Sequence, residues 1–256
     1  MGRSGNYKEL ISEAVERIVA AKKITALTGA GISVASGIMP FRGKGGLWEK
    51  YDPSEVAEIN RFLMNPGKSW IALKEIQQVV EKALPNAAHF ALAKMEEMGY
   101  LLSVITQNVD GLHQAAGNKR VIEYHGNTIR LLCLKCHAKY PSKEISLETL
   151  PPLCPACKGV LKPDAVFFGE MIPADAQSQS LIDIMQCGAM LVVGTSALVE
   201  PAASLPRTGK RNGAFIIEVN PEPSALTRMV DLFIEGKAEE ILPLMVDELL
   251  KSSEGK

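Results

Sequence analysis

KKITALTGAGISVASGIMPFR, residues 22–42, decides how the rest of the chain is read. An apolar run at 24–27 breaks at Thr28 into Gly29-Ala30-Gly31, and small and β-branched residues then continue as they do where a helix opens. The expected order is strand, glycine turn, helix N-terminus. Such a turn lets backbone approach a diphosphate closely, while free amide N–H groups and the helix dipole favour its charge. The dinucleotide fingerprint is incomplete, because Val34 stands where the third Gly or Ala of G-x-G-x-x-G/A belongs. The acidic residue expected about 20 positions further on is also missing. Instead the turn runs into Phe41-Arg42-Gly43 and a polar, glycine-rich stretch at 44–52. Taken alone, these residues leave a plain turn open as the alternative.

Three more apolar runs share the grammar of the first. Residues 101–105 end in Thr106-Gln107-Asn108-Val109-Asp110, residues 189–193 in Gly194-Thr195-Ser196, and residues 214–219 in Asn220-Pro221-Glu222. Ligands of open parallel sheets sit beyond the carboxyl ends of the strands, where strand order reverses. Four such endings with helices between them predict an α/β fold, a doubly wound, mainly parallel Rossmann-like sheet. Helical spacing is expected at 7–21 and 86–98, and a closing amphipathic helix at 239–250 after a strand at 231–234. A helical insertion is expected at 53–83, broken at Asn65-Pro66-Gly67.

Between 126 and 162 the pattern changes. Cys133-x2-Cys136 and Cys154-x2-Cys157 flank the intervening residues 137–153. Two such knuckles make a tetrahedral four-sulfur cage suited to zinc, closed to water and therefore structural. Redox thiol chemistry or an iron centre is the lesser reading. His137 is expected at the surface, and Cys187 as a small buried apolar side chain. The division that follows is 1–43, 85–125 and 164–256 for the nucleotide-binding domain, with 44–84 and 126–163 forming a small domain.

Composition is ordinary: 256 residues, 46% apolar, with 28 basic against 29 acidic side chains. No overall field draws the chain to nucleic acid or an acidic membrane. Arg3, Lys8, Glu9, Glu13, Glu16 and Arg17 interrupt any apolar signal core, and no segment approaches the roughly 18 apolar residues of a membrane span. A cytoplasmic location and a reducing compartment are expected. Of four histidines, His125 ends an apolar run just before the cysteine module, where either a general base or a hydrogen-bonded interdomain histidine fits; His89 and His113 fall in helical patterns and read as packing.

Read together, GAGISVASGIMPFRG, TQNVDGLH, EYHGN, the two CxxC pairs, KPDAVFFGE, GTSALVEPAA, VNPEP and GKAEEILP resemble, in order from Ile24 to about Leu242, the sirtuin family of NAD-dependent protein-lysine deacylases. The resemblance implies that NAD is consumed: the acyl oxygen of an acyl-lysine attacks the ribose carbon, and nicotinamide, lysine and O-acyl-ADP-ribose result. It further implies that Gly29, Ala30 and Gly31 hold the diphosphate and that Ile32, Phe41 and Asp110 border nicotinamide. Arg42, Gln107 and Asn108 would orient phosphate and ribose, with His125 as the base acting on a ribose hydroxyl and Asn108 at the reacting centre. Gly194, Thr195, Ser196, Asn220, Pro221, Glu222 and Ala238 would bind the adenosine half. Ala165-Val166-Phe167-Phe168-Gly169 resembles an open edge to which the substrate peptide adds, facing Leu198-Val199-Glu200; one of Phe167 and Phe168 is expected in the core.

Two departures stand out. Met39-Pro40 replaces the family's Pro-Asp or Pro-Thr before Phe41-Arg42, and Pro40 fixes φ and lacks an N–H. Leu73 and Ile76 occupy positions where relatives that remove acidic acyl groups carry Tyr and Arg, so neutral acyl groups are expected to be favoured over succinyl. An NAD-linked oxidoreductase and a non-catalytic zinc-ribbon module, the latter drawing on Lys135, Lys139, Lys143, Lys158 and Lys162, are the competing readings.

Overall fold

The computed structural model describes residues 7–39 and 52–254. Six strands build the main sheet: β1 (Ile24–Thr28), β2 (Leu101–Thr106), β3 (Val121–Glu123), β7 (Ala189–Val193), β8 (Phe215–Asn220) and β9 (Leu232–Glu235). Their order is β3-β2-β1-β7-β8-β9, and every pairing is parallel. All five residues of β1 are buried, as a central strand covered on both faces requires, which explains why it reads as a continuous run with no alternation. Helices Tyr7–Ala21, Ala87–Glu97 and Ala238–Glu254 supply the apolar layer on one face, and Ala174–Gln186 and Leu205–Arg211 that on the other. The chain leaves β1 for β2 on one side and β7 lies on the other. The crevice of a doubly wound fold therefore opens between the ends of β1 and β7.

The cysteine region forms strands that its sequence did not announce. β4 (Gly126–Cys133), β5 (Lys139–Pro141) and β6 (Leu161–Ala165) make a three-stranded antiparallel sheet, order β5-β4-β6. The strand expected at 165–169 thus lies earlier, and it runs across the expected domain boundary at 163/164. Helices Ile59–Met64 and Pro66–Lys82 pack on this sheet, with Phe62, Trp70 and Leu73 in one cluster with Leu131, Leu161 and Phe167. Trp70 Nε1–H donates to the Leu161 carbonyl at 2.8 Å, so its one polar atom is satisfied inside the apolar cluster. Of the expected site residues, Phe41 and Arg42, with Pro40, lie outside the described residues.

Candidate active site

Two strand ends interlock at the crevice. The Gly29 N–H donates to Val193 O at 3.0 Å and the Gly31 N–H to Gly194 O at 2.8 Å. The Gly29 and Gly31 amides are therefore engaged with the β7 end and are not the free donors that the sequence suggested. Their glycine requirement comes from close backbone approach: a Cβ on Gly31 would meet Gly194 Cα at 2.7 Å. Gly194 has φ +61, and its own Cβ would lie 2.4 Å from Ile32 N. Beyond the turn, Ala30–Ser36 is a 3-10 helix, with Ile32 and Ser33 buried.

Beneath this turn lies a buried polar network. Asn108 Nδ2 donates to Gly29 O and to Ser33 Oγ, both at 3.1 Å. Ser33 Oγ donates to Asp110 Oδ2 at 2.8 Å, and the Leu112 N–H caps Asp110 Oδ1 at 2.9 Å. Burial raises the Asp110 carboxyl above its ordinary range against the pull of the Leu112 and Ser33 hydrogen bonds. Asn108 Oδ1 is buried with no hydrogen-bond partner among the described residues. An acceptor left in this way beside a cavity can be completed by a donor on a ligand or by a water. Asn108, Asp110 and Ser33 line one side of an otherwise apolar cavity, faced by Ile38, Ile76 and Val80. Met39 lines it as well, which places half of the unusual Met39-Pro40 pair at the cavity.

His89 and His113, read from the sequence as packing, complete the network from behind. Asn86 caps the helix Ala87–Glu97, and its N–H donates to His89 Nδ1 at 3.3 Å. That leaves the His89 proton on Nε2, directed to Ser33 Oγ at 3.5 Å. His113 Nε2 meets Thr28 Oγ1 at 2.9 Å, and Thr28 donates onward to Thr106 Oγ1 at 2.9 Å. Burial lowers His89 to about 4 and His113 to about 3, so both are neutral at pH 7. Ser33 and His89 belong to this network, although sequence reasoning passed over them. The signal available was Ser33 inside the glycine turn.

His125 occupies the two-residue step between β3 of the large sheet and β4 of the small one. Gly126, at φ +74, makes the turn; a Cβ there would lie 2.1 Å from Asp164 O. His125 Nδ1 contacts Gln107 O at 3.2 Å, and a carbonyl can only accept, so Nδ1 carries the proton and the neutral ring keeps its lone pair on Nε2. Burial lowers the imidazole pKa, and the Gln107 carbonyl partly offsets this. A neutral imidazole half-open to the crevice is a competent general base near neutral pH.

Gln107 Nε2 donates to Thr195 Oγ1 at 3.0 Å, tying the ends of β2 and β7 together. Asn220, at the end of β8, donates through Nδ2 to Thr195 O at 3.0 Å. Ser196, Pro221 and Glu222 are exposed beside it, and Ala238 is buried at the start of Ala238–Glu254. Gln107, Thr195 and Asn220 thus form one hydrogen-bonded line across the crevice.

The expected peptide edge is partly occupied. The Phe168 N–H donates to Ala57 O at 2.7 Å and Phe168 O accepts from the Ile59 N–H at 3.0 Å, so these groups face the helical insertion. Phe167 is core, stacked edge-on against Phe62 at 5.5 Å, and Phe168 is exposed. The Val166 N–H donates to His125 O at 2.8 Å, joining this segment to the histidine. Gly169 is exposed; across the crevice Val199 is half-buried. Of the two residues expected in the acyl pocket, Ile76 lines the cavity but Leu73 packs into the small-domain cluster.

The four cysteines converge. The Sγ atoms of Cys133, Cys136, Cys154 and Cys157 lie within 4.8 Å of one another. The Lys135 and Cys136 N–H groups point at Cys133 Sγ at 3.4 and 3.5 Å, and the Tyr140 hydroxyl lies 3.3 Å from Cys154 Sγ. That hydroxyl brings the Cys154 thiol down to about 6, whereas the crowding of Cys157 and Cys133 pushes Cys136 up to about 12, as expected of four thiols gathered together. The donor set fits one structural zinc ion; His137 is exposed at φ +59, and Cys187 is buried.

A doubly wound parallel sheet with a polar network and a histidine at its crevice, in a chain that also carries a four-cysteine cage, defines a dinucleotide-binding α/β protein with a structural metal module. The sequence pattern of the Sir2 family matches residues 29–201, and the chain belongs to that family. NAD-dependent protein deacylase 2 of Pyrobaculum aerophilum is 45% identical over 232 residues, 91% of this chain and 93% of its own length. A mutant Sir2 homologue in complex with ADP-ribose superposes with TM-score 0.92 at 38% identity, covering 95% of this chain and 98% of that one. Sir2Af2 bound to a myristoylated histone peptide gives 0.82 at 37%, covering 97% and 100%.

Proposed function

We propose that this protein is an NAD-dependent protein-lysine deacylase. It transfers the acyl group of an acyl-lysine to ADP-ribose and releases nicotinamide and O-acyl-ADP-ribose. The observation that supports the reading is the buried Asn108–Ser33–Asp110 network lining an apolar cavity, with His125 held on the carbonyl of Gln107, the residue before Asn108, in a chain of the Sir2 family.

The glycosidic bond of NAD supplies the electrophilic ribose carbon and the nicotinamide leaving group. Each side chain has a task suited to its surroundings. Asn108 Oδ1 accepts from a ribose or nicotinamide donor, and its Nδ2 contacts to Gly29 and Ser33 keep it from rotating. Asp110 and Ile32 border the nicotinamide; Phe41, expected at that border, and Arg42, expected to orient phosphate and ribose, lie outside the described residues. Asn108 and Gln107 orient the ribose, and His125 Nε2 takes the proton of a ribose hydroxyl. Gly29, Ala30 and Gly31 bring the backbone close to the diphosphate, while Gly194, Thr195, Ser196, Asn220, Pro221, Glu222 and Ala238 receive the adenosine half. Fixed dipoles of this kind favour the positive charge that develops as nicotinamide departs.

An acyl-lysine peptide lies along Val166-Phe167-Phe168-Gly169 and Val199, with main-chain pairing confined to the groups that Ala57, Ile59, His125 and Glu170 do not already engage. Its acyl group enters the apolar cavity beside Ile76, where none of the described lining residues is a cation that could pair a succinyl carboxylate. The helical insertion and cysteine module act as one small unit over the crevice, as their shared cluster suggests. No described helix is long and apolar enough to cross a membrane. With thiols gathered in a metal cage, a cytoplasmic location fits best.

Incubation with NAD and matched acetyl- and succinyl-lysine peptides tests the reading. Nicotinamide release should require peptide and be faster with the acetyl form. NADH formation would point to an oxidoreductase, and faster succinyl turnover would overturn the acyl preference.

A further inference from the structure

Glu218 lies on β8 two residues before Asn220, and its side chain is fully buried. A buried carboxylate normally has a cation beside it, because removal from water penalises the charge. The hydrogen-bonding partners of Glu218 are neutral: Asn220 Nδ2 donates to Oε1 at 2.9 Å, and Thr227 Oγ1 donates to Oε2 at 2.6 Å. An apolar residue would fill the same space at lower electrostatic cost, so packing does not explain its presence.

We propose that Glu218 is a positioning residue that fixes the Asn220 amide for the adenosine ribose. This rests on the reading above that Asn220 helps to receive the adenosine half of NAD. A primary amide has two N–H donors on nitrogen and acceptor capacity on oxygen. Both Asn220 N–H groups are directed inward, to Glu218 Oε1 at 2.9 Å and to Thr195 O at 3.0 Å. Both partners are acceptors only. Rotating the amide by half a turn would set its oxygen against a carboxylate and a carbonyl, which disfavours that orientation. The crevice side of Asn220 is therefore held as Oδ1, an acceptor suited to a ribose hydroxyl. Without the carboxylate, the amide loses one of the two contacts that determine which end faces the ligand.

The second carboxylate oxygen braces the segment that follows. Thr227 Oγ1 accepts from the Ser224 N–H at 2.8 Å while donating to Glu218, and the Ala225 N–H reaches back to Ser196 O at 3.3 Å. One carboxylate thus fixes both the amide at the strand end and the loop that carries Pro221 and Glu222 past it.

The test is ADP-ribose binding by calorimetry, together with separate KM values for NAD and for an acetyl-lysine peptide. Glu218→Gln should weaken ADP-ribose binding and raise the NAD KM by about tenfold, the scale of one charge-assisted hydrogen bond. The peptide KM and kcat should stay within about twofold of the parent. Glu218→Leu removes both contacts and leaves Asn220 Nδ2 and Thr227 Oγ1 without that acceptor. It should lower Tm modestly and lose more ADP-ribose affinity than Glu218→Gln. Thr227→Val, which keeps the volume and disturbs Glu218 from outside, should give a smaller loss in the same direction. Unchanged ADP-ribose affinity in Glu218→Leu, or in Thr227→Val if the first variant does not fold, overturns the proposal. Affinity losses matched by equal rises in peptide KM would assign Glu218 a merely structural role. A parent protein that failed to bind ADP-ribose at all would instead remove the underlying reading of the crevice.

Discussion

Gly31 and Gly194 touch backbone to backbone: the Gly31 N–H donates to the Gly194 carbonyl at 2.8 Å, and a side chain on either would enter the other strand end. The contact joins the ends of β1 and β7, so the crevice exists only while both positions lack a Cβ. Gly194→Ala combines a left-handed φ of +61 with a 2.4 Å clash at Ile32 N. The expected cost is about 2–4 kcal/mol from strain and overpacking, read as a lower denaturation midpoint together with lost ADP-ribose binding. A variant with parental stability would contradict the interlock.

His125→Ala should reduce deacylation by about 10²–10⁴-fold while ADP-ribose binding persists, because the group removed transfers a proton and is not the main ligand contact. Burial lowers the imidazole pKa, so the base is free well into mildly acidic solution. The acid limb of kcat/KM should have its midpoint below 6.5, the ordinary histidine value, and a midpoint above it would place the base elsewhere.

His89 and His113 make stability depend on acidity. Their folded pKa values, about 4 and about 3, lie below the ordinary 6.5, so the unfolded chain binds more protons in between. Their contribution is complete above pH 6.5 and is lost as pH falls toward those folded values. Between pH 6.5 and 5 each should lose up to about 2 kcal/mol, at 1.36 kcal/mol per pH unit. Asp110, raised by burial, works in the opposite direction and trims the sum. Urea denaturation at several pH values should show the decline, and His113→Gln should flatten it. Stability independent of pH in this window would mean that the pair is not buried neutral.

Zinc analysis should find one ion per chain. Cys154→Ala should release it and unravel the β4-β5-β6 sheet, because the four Sγ atoms lie within 4.8 Å and close the module on itself. Loss of the module should raise the peptide KM, since β6 runs directly into Val166–Phe168. Full activity of a zinc-free variant would contradict that coupling.

The sheet was legible because its central strands are buried on both faces and so appear as runs without alternation, Ala189–Val193 being the clearest. The metal cage was legible because two CxxC knuckles have few other uses, and four sulfurs do converge. What the sequence concealed depends on contacts across the fold. Gly29 and Gly31 looked like free phosphate donors because Val193 and Gly194, which take their N–H groups, are far away in the chain. Val166–Gly169 read as an open edge because nothing local signals that Ala57 and Ile59 pair with Phe168. His89 and Ser33 looked ordinary for the same reason: each fits its own helix, and their meeting behind Asn108 and Asp110 is a tertiary fact.

The central claim is that NAD is cleaved at the expense of an acyl-lysine, and product stoichiometry measured by mass spectrometry tests it most directly. With an acetyl-lysine peptide the account predicts nicotinamide, deacetylated peptide and O-acetyl-ADP-ribose in equal amounts, none of them forming without peptide. NADH as a product, or nicotinamide released at the same rate whether or not peptide is present, would contradict it.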